Sequence, residues 1–136
     1  MSTLLKLFMV SSMLLMACHS EKRQDDVKKK ITQIKIEKKE YDFGTISPKD
    51  SVHGSFLIEN IGKKPLIIYS ALASCGCTTP SWTRAPVMVG KTAKISFIFK
   101  PTADYKGVVK KSIVFQANTK ERFHVLYLYG NVSPQK

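Results

Sequence analysis

Two cysteines separated by a single glycine are the residues of this chain whose type and spacing could do chemistry. They are Cys75 and Cys77, and the chain holds one further cysteine, Cys18. In extended backbone, residues i and i+2 point to the same side, so both sulfurs can face one point. Gly76 relaxes the backbone between them, which permits either ring closure or a shared ligand. The motif therefore predicts a site at Cys75 and Cys77, and its chemistry has four interpretations.

Two of these interpretations involve the sulfurs alone. In the first, the pair is structural, either as small buried thiols or as a short disulfide that pins a loop. Closing so short a ring removes little conformational entropy from the unfolded chain, so it adds little stability. The distance between the Cα atoms of residues i and i+2 in extended backbone also lies at the upper end of the range found in disulfides. In the second, the pair is a thiol–disulfide switch, because a strained bond beside the polar Thr78 would be labile. No lysine or arginine lies within two residues of the pair to favour a thiolate.

The other two interpretations bring in further residues. Two thiolates on one face suit Cu(I), which accepts low coordination, better than Zn²⁺, which needs four ligands. Met88, His53 or His124 could supply another donor to that ion. The fourth interpretation is a cysteine nucleophile that works with one of the two histidines, but no acid is spaced to orient the base. With no convergent catalytic set, we predict that the protein is not an enzyme and that it uses no cofactor unless the pair binds Cu(I).

The remaining cysteine closes an apolar N-terminal run and predicts export. Residues 7–17 have the length of a signal-peptide core and are too few to span a membrane. Residues 15–18 read Leu-Met-Ala-Cys, which resembles the bacterial lipobox, whose cysteine is lipidated and becomes the new N-terminus. His19 stands where many inner-membrane lipoproteins have Asp. We therefore expect residues 1–17 to be a lipoprotein signal peptide and Cys18 to anchor the protein to the outer membrane, facing either the periplasm or the outside.

The segment after this cysteine is charged and lacks apolar periodicity. Residues 18–30 hold a single Val, so they cannot bury enough apolar surface to offset the entropy that they would lose on ordering. We therefore predict a flexible tether. Residues 41–136 carry 13 Lys and Arg against 5 Asp and Glu, a net charge of +8. The export signal argues against nucleic acid as the partner. Arginine, whose guanidinium binds bases and phosphates through paired hydrogen bonds, is also scarce. We expect the partner to be the membrane itself, through the lipid anchor, and an envelope protein or polysaccharide.

Beyond the tether, the apolar residues recur with a period of two. Phe123, Val125, Tyr127 and Tyr129 alternate with His124, Leu126, Leu128 and Gly130. Both His53 and His124 alternate onto the side of their runs taken as polar, so we expect both to be exposed. A lone Trp82 is expected to be a partly buried core residue. The β-rich runs are residues 34–36, 52–58, 65–69, 93–99, 108–115 and 123–129, with turn signals between them. The pattern predicts an all-β protein, in which residues 31–136 form an immunoglobulin-like β-sandwich of about seven antiparallel strands, with an open barrel as the alternative.

Four short segments are similar to those of a known family. They are Asp-Phe-Gly-Thr-Ile at 42–46, Asn-Ile-Gly at 60–62, Ser-Cys-Gly-Cys-Thr at 74–78 and Gly-Asn-Val at 130–132. Together they resemble the bacterial domain-of-unknown-function family of short, exported, immunoglobulin-like proteins with a CGCT motif. The resemblance spans residues 40–133 and implies a hydin-like β-sandwich, but it implies no activity.

These observations lead to one prediction of function and one alternative. The predicted function is that of a lipid-anchored cell-envelope protein that acts as a non-enzymatic binding or structural module. The alternative is a thiol redox or Cu(I)-handling protein that uses Cys75 and Cys77. Accessible thiols would favour the alternative, whereas buried and unreactive ones would favour the structural class.

Overall fold

The computed structural model of the protein describes residues 30–133. The predicted signal peptide, Cys18 and the predicted tether up to residue 29 lie outside the described residues. The described part contains no helix that is long and apolar enough to cross a membrane. Its strands are β1 (Ile34–Ile36), β2 (Glu40–Ile46), β3 (Val52–Asn60), β4 (Ile68–Ala73), β5 (Thr78–Trp82), β6 (Thr92–Phe99), β7 (Gly107–Ala117) and β8 (Phe123–Val132).

These strands form two four-stranded sheets that enclose one apolar core. The first sheet has the order β1-β3-β6-β5, and the second has the order β2-β8-β7-β4. Alternate residues of both sheets are buried in a common cluster, with Phe97 and Phe99 from the first sheet and Phe115 and Leu128 from the second. The predicted all-β sandwich is therefore confirmed.

The structure corrects the predicted strands in number and in direction. Residues 30–133 form eight strands rather than about seven, and β2 pairs with β8 in parallel, so the sandwich is not wholly antiparallel. Parallel and antiparallel strands show the same alternation, which is why the pattern could not reveal this pairing. The strand β5 was missed because Pro80 lies inside it, and proline is tolerated there because β5 is an edge strand.

The strand β8 differs most from the prediction, because the residues predicted to face the core face the solvent and the alternate residues face the core. The predicted core residues Phe123 and Val125 are exposed, whereas Leu126 and Leu128 are fully buried. Both alternating sets of this strand are apolar, so the period of two could not choose between them, and a shift by one residue exchanges the faces. His124 consequently lies on the inner side and is half-buried rather than exposed.

A fully buried asparagine holds one end of the sandwich together. The Asn60 side chain accepts hydrogen bonds from the Thr32 hydroxyl at 2.8 Å and from the Gly62 N–H at 3.2 Å. Its amide group donates to the carbonyl oxygens of Lys64 and Val87 at 2.8 and 2.9 Å. Gly62 must be glycine because a Cβ there would overlap the Thr32 hydroxyl. These contacts explain the Asn-Ile-Gly segment as a structural feature rather than a chemical one.

Candidate functional site

The Cys-Gly-Cys motif forms the connection between the two sheets. It joins β4, an edge strand of the second sheet, to β5, an edge strand of the first. Cys75 and Cys77 are joined by a disulfide, and their Cα atoms lie 5.3 Å apart. The Thr78 N–H donates to the Cys75 carbonyl oxygen at 3.3 Å, so the backbone turns here and is not extended. The expectation of extended backbone is wrong, since the turn shortens the Cα distance to a value common in disulfides.

The turn is also attached to both sheets by its backbone. On the β4 side, the Ser74 N–H donates to the Ser112 carbonyl oxygen at 2.9 Å, and the Ser112 N–H donates to the Ser74 hydroxyl at 3.1 Å. On the β5 side, the Lys100 N–H donates to the Cys77 carbonyl oxygen at 2.8 Å. The motif is thus held in place from β7 and from the residue that follows β6.

Both sulfurs lie at the boundary between the core and the solvent. Cys75 and Cys77 are part-buried, Cys77 packs against the core, and Gly76 between them is exposed. The Thr78 hydroxyl lies 3.8 Å from Cys75 Sγ. A sulfur in a disulfide carries no hydrogen, so the hydroxyl is the donor in this contact. The arrangement gives Cys75, and not Cys77, a polar hydrogen that points at its sulfur.

The structure does not bring the other predicted ligands to the cysteine pair. Met88 lies near Gly90, which is bonded to Asn60 at one end of β6, whereas Cys77 lies at the other end. The eight residues of β6 separate these ends by about 25 Å. Among residues 30–133, no group of three or more His, Cys, Asp and Glu side chains is placed to hold a metal ion.

The two histidines also lie away from the pair. His53 is exposed, as predicted, on β3, and β6 separates it from β5, a distance of about 10 Å. His124 stacks on Phe115 with ring centroids 4.9 Å apart, and its Nε2 lies 2.7 Å from the Thr119 hydroxyl. That hydroxyl donates its hydrogen to the Glu121 carbonyl oxygen, so His124 Nε2 must carry a hydrogen and donate it. Burial lowers the pKa of His124, with Lys39 also lowering it and Glu121 raising it.

Trp82 is a core residue and does not cover the disulfide. Its ring packs against the core at the far end of β5 from Cys77, and its Nε1 donates to the Ile68 carbonyl oxygen at 3.1 Å. The Arg84 guanidinium carbon lies over the ring, 3.6 Å from its centroid. The expected structural role of Trp82 agrees with these contacts.

A second candidate site is the outer apolar face, which we define as Leu72, Val114, Phe123 and Val125. Leu72 pairs with Val114, and Val114 pairs with Val125, so these three side chains form one row across three adjacent strands. They are 68%, 36% and 37% exposed, and Phe123, two residues before Val125 on the same face, is 63% exposed. The sequence reading missed this face because it assigned Phe123 and Val125 to the core. The signal that could have found it is the second apolar set of β8.

The outer face of the first sheet is polar by contrast. One row across its strands consists of Ser55, Ser96 and Ser81. Lys94 lies opposite Leu57 on this face. A shallow cleft at its β1 end is lined by Lys35, Glu37, Leu57, Glu59 and Thr92. The two outer faces of one sandwich therefore differ in chemistry, and only the face on the second sheet has a continuous apolar row.

The comparison with protein families shows to which family this chain belongs. The model of a family described as "Protein of unknown function (DUF1573)" matches residues 34–132. The chain belongs to this family. The DUF1573 match covers all of the described strands and confirms the expected domain of unknown function, but it assigns no activity. A comparison with curated protein sequences finds no match.

Solved structures are similar to this DUF1573 domain in fold. A protein of unknown function from Porphyromonas gingivalis W83 has a TM-score of 0.68 at 14% identity, over 76% of this chain and 48% of that one. This chain thus spans about half of that protein. The PapD-like domain 7 of human CEP192 has a TM-score of 0.57 at 16% identity, over 78% and 89%. A family 123 glycoside hydrolase from Clostridium perfringens has a TM-score of 0.60 at 10% identity, over 76% and 28%. At these identities, the likeness shows the fold alone.

Proposed function

We propose that this protein is a non-enzymatic binding module of the bacterial cell envelope, which is held at the membrane by a lipid on Cys18 and binds an envelope protein through the outer apolar face. The observation that carries this proposal is the row of Leu72, Val114 and Val125 across three strands. Contiguous exposed apolar surface on a soluble domain commonly marks a site of protein–protein contact. The polar outer face of the first sheet serves as the internal comparison.

The side chains of the face favour a protein over a polysaccharide as the partner. Three of its four side chains, Leu72, Val114 and Val125, are aliphatic and offer a sugar neither hydrogen bonds nor a flat ring, but they fit an apolar surface of another protein. Phe123 is the one aromatic member of the face. The Lys110 ammonium lies 4.8 Å from the centroid of the Tyr127 ring, beside the apolar row on the same sheet. Together with the net charge of +8 on residues 41–136, this favours a partner whose apolar patch is surrounded by acidic residues.

The lipid anchor rests on the sequence alone. Residues 15–18 resemble a lipobox, and the polar residues 18–30 supply a tether to the domain. His19 in place of Asp supports the outer membrane as the address. An anchored domain meets its partners in a thin layer at the membrane, where a face of modest area is sufficient because the effective concentration is high.

Paired variants test the binding face in the native envelope. In one variant, Leu72 and Val125 are both replaced by Ser; in the control, Leu57 and Ile98 of the other outer face, which are 43% and 38% exposed, are both replaced by Ser. The membranes are solubilised in mild detergent, and the native mass of the protein is measured. We expect a complex in the wild type and the control and a monomer in the Leu72/Val125 variant, because only that variant loses the apolar row.

Two results of this experiment would contradict the proposal. One is a complex of unchanged mass and abundance in the Leu72/Val125 variant. The other is an equal loss of the complex in both variants, which would indicate a general effect of surface polarity. The thermal unfolding midpoint of both variants should stay within about 4 °C of the wild type, since exposed substitutions change stability little.

A further inference from the structure

We infer that the Cys75–Cys77 disulfide is a reactive site that accepts electrons from the thiols of another envelope protein. This inference does not depend on the proposed binding face, which shares no residue with the turn, although Leu72 lies on β4 three residues before Cys75. Three features of the structure carry it: the turn is held without the disulfide, the bond is open to solvent, and Thr78 favours one direction of cleavage.

The turn does not need the disulfide to keep its place. The bond closes a loop with a sequence separation of 2, and loops this short contribute least to stability. The backbone bonds from Ser74, Lys100 and Thr78 already attach the turn to β7, to the end of β6 and to itself. A disulfide that is redundant for the fold can be opened while the domain stays folded.

An incoming thiol has an open path to the bond. Gly76 is exposed, and apart from its two chain neighbours no atom of the described residues would lie within 4 Å of a Cβ placed on it, so residues 30–133 leave this side of the turn uncovered. Cys75 and Cys77 are only part-buried, unlike the fully buried residues of the core. Access to the sulfur is the first requirement for thiol–disulfide exchange.

Two lysines lie on the chain segments that hold the turn. Lys100 is bonded to Cys77 through its backbone, and Lys111 is the neighbour of Ser112, which is bonded to Ser74. Lys111 Nζ lies 5.0 Å from the centroid of the Tyr105 ring. The sequence places no lysine within two residues of the motif, and the fold brings the backbone segments of these two lysines next to it.

The Thr78 hydroxyl sets the direction of cleavage. A thiolate of the partner attacks Cys77 Sγ and forms an intermolecular disulfide, while the bond between Cys77 and Cys75 breaks and Cys75 leaves as a thiolate that accepts the Thr78 hydrogen bond. A second thiol of the partner then attacks the partner sulfur in the mixed disulfide and releases Cys77. Two electrons pass from the partner dithiol to the pair, and the two protons of the dithiol end on Cys75 and Cys77. The better stabilised thiolate leaves faster, so Cys75 is the leaving sulfur.

The test uses the full-length mature protein in detergent, with glutathione as the thiol. The protein is equilibrated in mixtures of reduced and oxidised glutathione, quenched by alkylation and weighed intact. We expect two alkyl groups to appear progressively over the buffer series while the unfolding transition remains cooperative. A disulfide that stays intact until the protein is denatured would overturn the inference, and so would loss of the folded state upon reduction.

Substitutions on β5 test the assigned direction. In Thr78→Val, which keeps the shape of the buried side chain, the rate of reduction by glutathione should fall by about threefold to tenfold, the effect of one hydrogen bond. The first glutathione adduct, which peptide mapping should find on Cys77 in the wild type, should lose this preference. Thr78→Ser should restore both properties, and the exposed Thr79→Val should change neither. An unchanged rate and adduct position in Thr78→Val, or the same effect in Thr79→Val, would show that the hydroxyl has no part in the exchange.

Discussion

His124 lies at the start of β8 with its ring stacked on Phe115 and its Nε2 in contact with the Thr119 hydroxyl. Burial is the main cause that lowers its pKa below the ordinary value of 6.5, and Lys39 acts in the same direction. The carboxylate of Glu121 opposes both. A histidine with a lowered pKa is neutral in the folded protein at a pH where the unfolded chain already binds a proton. This residue therefore links the stability of the domain to pH.

The lowered pKa of His124 determines how the stability of the domain changes with pH. The contribution of His124 to stability is fully present above pH 6.5 and is lost as the pH falls from there towards the folded pKa, because the unfolded state then binds more protons. We expect the unfolding midpoint to fall more between about pH 7.5 and pH 5.5 in the wild type than in His124→Gln. The measurement is urea unfolding at both values of pH. The same change of midpoint in both proteins would contradict the assigned role.

At the candidate site, the sequence alone could predict which sulfur atoms meet, but it could not predict the contacts that surround them. The type and spacing of Cys75 and Cys77 predicted that their sulfurs could meet, and a short disulfide was among the interpretations. The turn, however, depends on bonds to Ser112 and Lys100, which lie far along the chain. No local pattern reports contacts of that separation, so the attachment of the turn could only come from the fold.

At the level of the elements, β8 decides both the core and the outer apolar face. Its inner set includes the fully buried Leu126 and Leu128, and its outer set includes the exposed Phe123 and Val125. A strand that is apolar on both faces is typical of strands covered on both sides. Within residues 30–133, only one side of β8 is covered, which is the physical basis for expecting a partner on the other.

Single substitutions test this orientation of β8. Leu126→Ala should lower the free energy of unfolding by about 2–5 kcal/mol, because it leaves a cavity in the core. Val125→Ala, at the neighbouring position, should lower it by less than about 1 kcal/mol, since the side chain is exposed. Chemical denaturation of the isolated protein measures both. The reverse order of the two values would support the alternation first read from the sequence and would remove the outer apolar face.

The other errors in the strands have separate physical causes. The run predicted at residues 65–69 is observed as Ile68–Ala73, because residues before Ile68 are held by Asn118, whose side chain accepts from the Ile67 N–H at 2.7 Å. The strand β2 was not predicted because Gly44, with a φ of 69°, interrupts it at a bulge. Alternation alone therefore identified the long central strands, and the short or irregular edge strands needed the tertiary structure.

At the scale of the whole molecule, the features of interest lie in different places. The described chain enters beside Asn118 and Asn60, where the Thr32 N–H donates to the Asn118 carbonyl oxygen at 2.8 Å. The disulfide lies towards the opposite end, where Lys100 follows β6. The outer apolar face occupies the side of the second sheet. Binding and disulfide exchange can therefore be separated by substitution, and neither set of variants touches the residues of the other.

The central claim of this account is that the outer apolar face contacts another protein. The most direct measurement places a photo-crosslinking amino acid at position 72 in living cells, with position 57 on the polar outer face as the control. We predict a discrete protein adduct at position 72 that is heavier than the protein alone, and no such adduct at position 57. Absence of a protein adduct at position 72, or equal adducts at both positions, would contradict the claim. An adduct to a second copy of this chain would also contradict it, because the proposed partner is a different protein.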